Sequence, residues 1–196
     1  MKTMDEARLE TDLEYRFAFL MEFVGFTPED AAALQGTAPY LGPLVPSLVE
    51  RTYEKLLAYD ATARHFVPRQ HGLEGQPAAS LQNLSRDHSH IQFRKEHLMR
   101  YLMQIMGRSL DARIIPYLEM VGKIHTPRAG NRDISVPLVQ MNAFMGVLSD
   151  LLFETITSLG LDSQTTLSAI RAWNKFLWIQ NDFISRQYQA APTSTT

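Results

Sequence analysis

Helical spacing runs through almost the whole chain, and nothing in the sequence competes with it. Apolar residues recur three and four positions apart, as in Leu9, Leu13, Phe17, Leu20 and Val24, which is the period of an amphipathic α-helix. No run of alternating β-branched residues offers a strand. The chain is therefore expected to be all-α. The spacing predicts a first helix over residues 6–23, stopped by Gly25. "TPED" at residues 27–30 is a start signal, with a hydroxyl N-cap, a proline at the first position and two acids. The short helix it opens ends near Gly36. Pro39, Gly42 and Pro43 break the chain before a third helix over 44–59. Residues 69–79 read as a loop, 80–106 as a long helix and 111–126 as the next, with Pro116 in its first turns. A polar loop over 127–135 leads to two last helices, 137–159 and 162–189, separated by Gly160. Residues 1–190 form one domain, and the small polar tail 191–196 is expected to be disordered.

The composition narrows the function. The 196 residues are 45% hydrophobic and 20% charged, enough to bury a core. A net charge of −2 creates no global attraction for nucleic acid or an anionic membrane. The absence of cysteine excludes disulfides, thiolate metal sites, iron–sulfur clusters and cysteine nucleophiles. The acidic N-terminus lacks the apolar segment of a secretory leader, and no stretch approaches the roughly 20 apolar residues that span a bilayer. A cytoplasmic protein is expected, without nucleic-acid or membrane partners.

Two observations concern packing. The last two helices are apolar on too many sides, with Phe144, Val147, Leu148, Leu151, Leu152 and Phe153 on one and Trp173, Phe176, Leu177 and Trp178 on the other. Such an excess means either a helix central in the core or a second subunit. Three histidines on the long helix, His88, His90 and His97, resemble a metal cluster only at first sight. His88 and His90 point about 160° apart on a helix and neither pairs with His97 at a one-turn interval. Leu84, His88, Ile91, Leu98, Leu102 and Ile105 make the expected buried stripe of that helix, bordered by Phe93, Arg94 and His97.

His125 is the residue with the most chemistry in reach. Ile114, Leu118, Val121 and His125 share one helix face, so the imidazole completes an apolar stripe and points inward. Taken alone, such a residue is more often an ordinary hydrogen-bonded core histidine than a metal ligand. Gly122, beside it, would let a flat group approach. Tyr53 lies on the buried stripe of the third helix, where a phenol needs either a nearby carbonyl or a polar ligand. No phosphate loop, nucleophile elbow or zinc-protease motif is present.

The stretch "RFAFLMEFVGFTPEDAAALQGTAPYLGPLVPSLVERTYEKLL", with its Thr52-Tyr53 pair, together with "VGKIH" at 121–125, resembles the globin domains of globin-coupled sensors and the protoglobins. The likeness covers roughly residues 13–184. It implies a globin fold of the sensor type with an extra N-terminal pre-helix and a b-type haem. It makes His125 the proximal iron ligand and Tyr53 the distal donor to bound dioxygen, with Leu98 the apolar distal residue. Phe66, Phe93, Arg94, His97 and Val121 would contact the haem. Dioxygen, carbon monoxide or nitric oxide would be the ligand, and the last two helices would form a homodimer. After the histidine the chain departs from the family pattern, with "TPRAGNRDISVPLVQMN" where an aromatic pair is usual. Two readings follow: a haem-based gas binder or sensor, standing alone or as the module of a longer chain, and a haem-free dimerising interaction module. Enzyme activity at the haem would be secondary.

Overall fold

The computed structural model describes residues 1–69, 72–74, 76–129 and 132–189. The tail 191–196 lies outside them. Every regular element among the described residues is helical: α1 (Glu6–Thr11), α2 (Leu13–Phe23), α3 (Pro28–Gly36), α4 (Ala38–Leu41), α5 (Val45–Leu57), α6 (Asp60–Ala63), α7 (Ser89–Gly107), α8 (Ile115–Lys123), α9 (Leu138–Ser158) and α10 (Ser163–Ser185).

Local chemistry sets the boundaries. Residues 6–23 are two helices rather than one. Asp12 takes extended backbone angles, and its carboxylate accepts from the amides of Glu14 and Tyr15 at 3.0 Å. An aspartate in a helical run competes with the helix by capping a new one. At the start of α3, Thr27 and Asp30 bond each other's backbone amides reciprocally, with Pro28 at the first helical position. The long helix starts at Ser89, later than the periodicity predicts. Residues 81–83 make only a single 3-10 turn, Leu84 is extended, and the His88 ring caps the true N-terminus by accepting from the His90 amide at 3.2 Å. Gly160, with φ +67°, turns the chain between α9 and α10.

The core is organised around α10, which packs on α9, α3, α8 and α2, while α5 packs on α7 and α9. Trp173, Phe176, Ile179 and Phe183 are fully buried along it. The Arg16 guanidinium grips Asp182 with two bonds of 2.6 and 2.7 Å, tying the N-terminal helix pair to α10. Buried Gln180 accepts from the Tyr101 hydroxyl and donates to the Leu118 carbonyl, both at 3.4 Å, which links α7, α8 and α10.

The central position of α10 accounts for most of the apolar excess. Trp173, Phe176, Leu177, Leu148 and Leu152 are all core residues. What remains outside is Trp178 at 63% exposure and Leu167 at 52%, eleven residues apart and so on one side of α10, together with Val139 on α9.

Candidate functional site

Between α5, α7, α8 and α9 lies a cavity of about 960 Å³. Its walls are mostly apolar, with Phe66, Leu98, Ile134, Phe144, Met145 and Leu148 among them. The polar groups that reach it come from different elements and include Tyr53 from α5, Arg94 and His97 from α7, and His125 from the turn after α8.

His125 stands two residues beyond the last α-helical residue, not within the helix as its spacing predicts. The backbone tightens there, with the His125 amide reaching the Gly122 carbonyl at 3.5 Å, and Pro127 prevents the helix from resuming. The ring is held by its own helix, since Nδ1 lies 2.9 Å from the Val121 carbonyl. A carbonyl only accepts, so Nδ1 carries the proton and Nε2 keeps the lone pair. Burial, with the Arg94 charge adding to it, pulls the pKa of His125 down to about 4 against the raising effect of the Val121 bond. The imidazole is neutral at neutral pH, as a metal ligand must be.

The loop after His125 closes onto it. The His125 carbonyl accepts from the Val136 amide at 3.0 Å, and the Tyr188 hydroxyl donates to the Val136 carbonyl at 2.7 Å. This brings Ile134 and Val136 into the cavity wall. The stretch without the expected aromatic pair therefore still seals the site, with aliphatic side chains and a strap from the C-terminal turn.

Tyr53 is 5% exposed, and burial raises its pKa while the Arg94 charge partly offsets the rise. Among the described residues no hydrogen bond reaches its hydroxyl, so the nearby carbonyl that would make it structural is missing. Its ring packs at 5.6 Å from Phe66, and the Arg94 guanidinium lies over the other partner of that pair, 5.5 Å from the Phe66 centroid. Leu98 and Val121 also line the cavity, as does His97, whose Nδ1 is bound to the Phe93 carbonyl at 2.7 Å. Phe93 does not line it. The Phe93 ring stands edge-on to His97 at 4.3 Å, one turn away from the wall.

Gly122 has another role than the one its position beside His125 suggests. It faces α10, not the cavity: an added Cβ would lie 2.5 Å from the Phe183 carbonyl oxygen. The glycine lets two helix backbones touch.

The three α7 histidines end up apart. His88 caps the helix, His97 lines the cavity, and His90 is fully buried with neither ring nitrogen bonded. Among the described residues no three histidine, aspartate or glutamate side chains converge on a metal position. The imidazoles that line the cavity, His65, His97 and His125, come singly from separate elements, which suits a metal that brings its other ligands with it.

The Protoglobin family model matches residues 13–194. The chain belongs to the protoglobin family. Among curated proteins none matches it. Membership suggests haem-based binding or sensing of gases rather than classical enzyme catalysis. The donor set of this protoglobin fits a haem: a neutral imidazole with a free lone pair, apolar walls, and cationic Arg94, Arg100 and Lys123 against one wall carboxylate, Glu119. Among the described residues no helix is long and apolar enough to cross a membrane.

Of the wall residues on α7, the sequence named Arg94 and Leu98 and missed Tyr101. Arg94, Leu98 and Tyr101 follow four- and three-residue steps on one face of α7 and all line the cavity. That spacing was sufficient to place Tyr101 inside. His65, Ile134 and Gln140 also line it, but they sit in turns or at a helix start and carry no periodic signal.

Proposed function

We propose that this protein holds a b-type haem through His125 and binds a diatomic gas there, chiefly dioxygen, with carbon monoxide or nitric oxide as competitors. The observation that carries the reading is the state of His125: Nδ1 spent on the Val121 carbonyl and Nε2 unbonded, among the described residues, at the wall of a haem-sized cavity. A haem bound there would supply an iron with one coordination position left for a gas. Val121 fixes the tautomer and direction of the ring that holds it. Tyr53 donates its hydroxyl hydrogen to a ligand that gains negative charge on binding, which favours dioxygen over carbon monoxide. Leu98 and Phe66 keep water away from the ligand, and His97 and Arg94 face the haem. The exposed Trp178 and Leu167 of α10, with Val139 of α9, support a homodimer through the last two helices.

The test is the visible spectrum of the purified protein supplemented with haem. A Soret band that shifts with carbon monoxide, and that is lost in His125→Ala, is the expected result. Protein that stays colourless after supplementation would overturn the proposal in favour of a haem-free interaction module.

A further inference from the structure

Among the described residues nothing answers the charge of Arg94. The side chain is 9% exposed, and its Nε and Nη2 have no hydrogen-bond partner. Burial lowers its pKa to about 10, so it stays a cation at neutral pH. The titratable groups within its electrostatic reach are Tyr53, His65, His90 and His125, all neutral at pH 7. The wall carboxylate, Glu119, is engaged elsewhere, by Arg186 at 2.7 Å and Gln187 at 2.9 Å. A buried guanidinium without a counter-charge is strongly unfavourable, and fixed donors of this kind are what recognises an anion.

Arg94 also stands in a particular corner. It lies over Phe66, whose ring packs on Tyr53. The guanidinium and the free phenol therefore share one end of the cavity. Resting on the haem reading above, we propose that Arg94 and Tyr53 form an anion subsite that selects small anionic ligands of the ferric iron, of the nitrite and azide class. The guanidinium donates to the ligand's negative end, and no electron transfer is involved. A haem propionate is the other anion that could answer Arg94, and the experiment separates the two.

Ferric haem-loaded protein is titrated optically at pH 7 with azide, with nitrite and with neutral imidazole. Arg94→Met is expected to weaken azide and nitrite binding by roughly tenfold or more while leaving imidazole within about twofold. Arg94→Lys recovers part of the loss by restoring the charge. Protein reconstituted with the dimethyl ester of haem keeps the same Arg94-dependent difference. Equal anion affinities in wild type and Arg94→Met, with haem retained, would sink this proposal alone. Faster haem loss in Arg94→Met without any change in anion affinity, or an Arg94 effect that vanishes with the ester, would identify a propionate as the partner and overturn it too. Removing an unpaired buried charge does not threaten folding, so Arg94→Met should melt no lower than wild type. Failure of every variant to take up haem would instead bring down the function proposed above, and this subsite with it.

Discussion

Gly122→Ala tests how α8, and with it His125, is held. An ideal Cβ at this position would meet the Phe183 carbonyl oxygen at 2.5 Å, Gln187 Cγ at 3.0 Å and Ile184 Cα at 3.2 Å. The first and third are α10 backbone atoms and cannot swing aside. Relief requires α8 and α10 to separate by several tenths of an ångström along their contact. Overpacking of this kind costs roughly 1–3 kcal/mol, while alanine's helical preference over glycine returns at most about 1 kcal/mol. Because two fixed backbone atoms are involved the cost falls in the upper half of that range, about 2–3 kcal/mol, and the net loss is about 1–2 kcal/mol. For a chain of this size that corresponds to a melting point roughly 2–8 °C lower.

The assay is thermal and urea unfolding of the haem-free protein, with Gly146→Ala as the companion variant. An added Cβ on Gly146 meets nothing within 4 Å, so that change should leave stability equal or raise it by up to about 1 kcal/mol. Gly122→Ala as stable as wild type would refute the packing argument. If it also lost haem affinity, the glycine would be making room for a flat group, as its place beside His125 in the sequence suggests.

Other consequences are independent of that contact. His90 is fully buried with both ring nitrogens unbonded, and burial first, then the Arg94 and His88 charges, lowers its pKa to about 4. The unfolded chain, with an ordinary histidine near 6.5, binds more protons across that interval. Stability therefore falls as pH drops from about 6.5 to about 4, and His90→Leu should show a shallower decline in urea unfolding measured at each pH; parallel curves would exclude the role. Tyr53→Phe should speed dioxygen release by roughly tenfold and leave carbon monoxide release within about twofold in stopped-flow measurements, whereas equal changes for both gases would remove Tyr53 as the selective donor. Trp178→Glu should turn a dimer into a monomer by light scattering without altering the Soret band. A wild type already monomeric at micromolar concentration would refute the interface.

The all-α class, the helix order and the inward direction of His125 and Tyr53 were legible because each depends on local pattern. The 4, 3, 4 spacing of Ile114, Leu118, Val121 and His125 holds whatever surrounds it. The errors arose where one side chain competed with the pattern. Asp12 caps a new helix inside an apolar run, and His88 caps α7 nine residues later than its periodicity begins. Gly122 was misjudged for a different reason: the sequence places it beside His125, and only the packing of α8 on α10 shows which side it faces. The strap from Val136 to Tyr188 joins residues 52 apart and had no signal in the sequence at all.

The lining of the cavity is the part of the structure on which the choice between the proposed haem protein and a haem-free module on the same fold rests. Protein interiors are close-packed, and an unfilled apolar cavity is costly. A space of about 960 Å³ lined largely by apolar side chains is far larger than close packing leaves inside a domain. A chain under selection only for dimerisation would fill the space with larger side chains and would not place an unpaired guanidinium, an unbonded phenol and a free imidazole lone pair around it. On the proposed reading the imidazole lone pair answers a metal centre, and the phenol and the guanidinium answer a ligand bound to it. The stability should then reside in the filled state. Haem at a hundredfold excess over its dissociation constant should add about 2.7 kcal/mol, roughly 5–11 °C in the melting point. Calorimetry of the protein with and without haem measures this directly. Identical melting points at saturating haem would mean that the folded protein does not bind haem in preference to the unfolded chain, and would overturn the haem proposal.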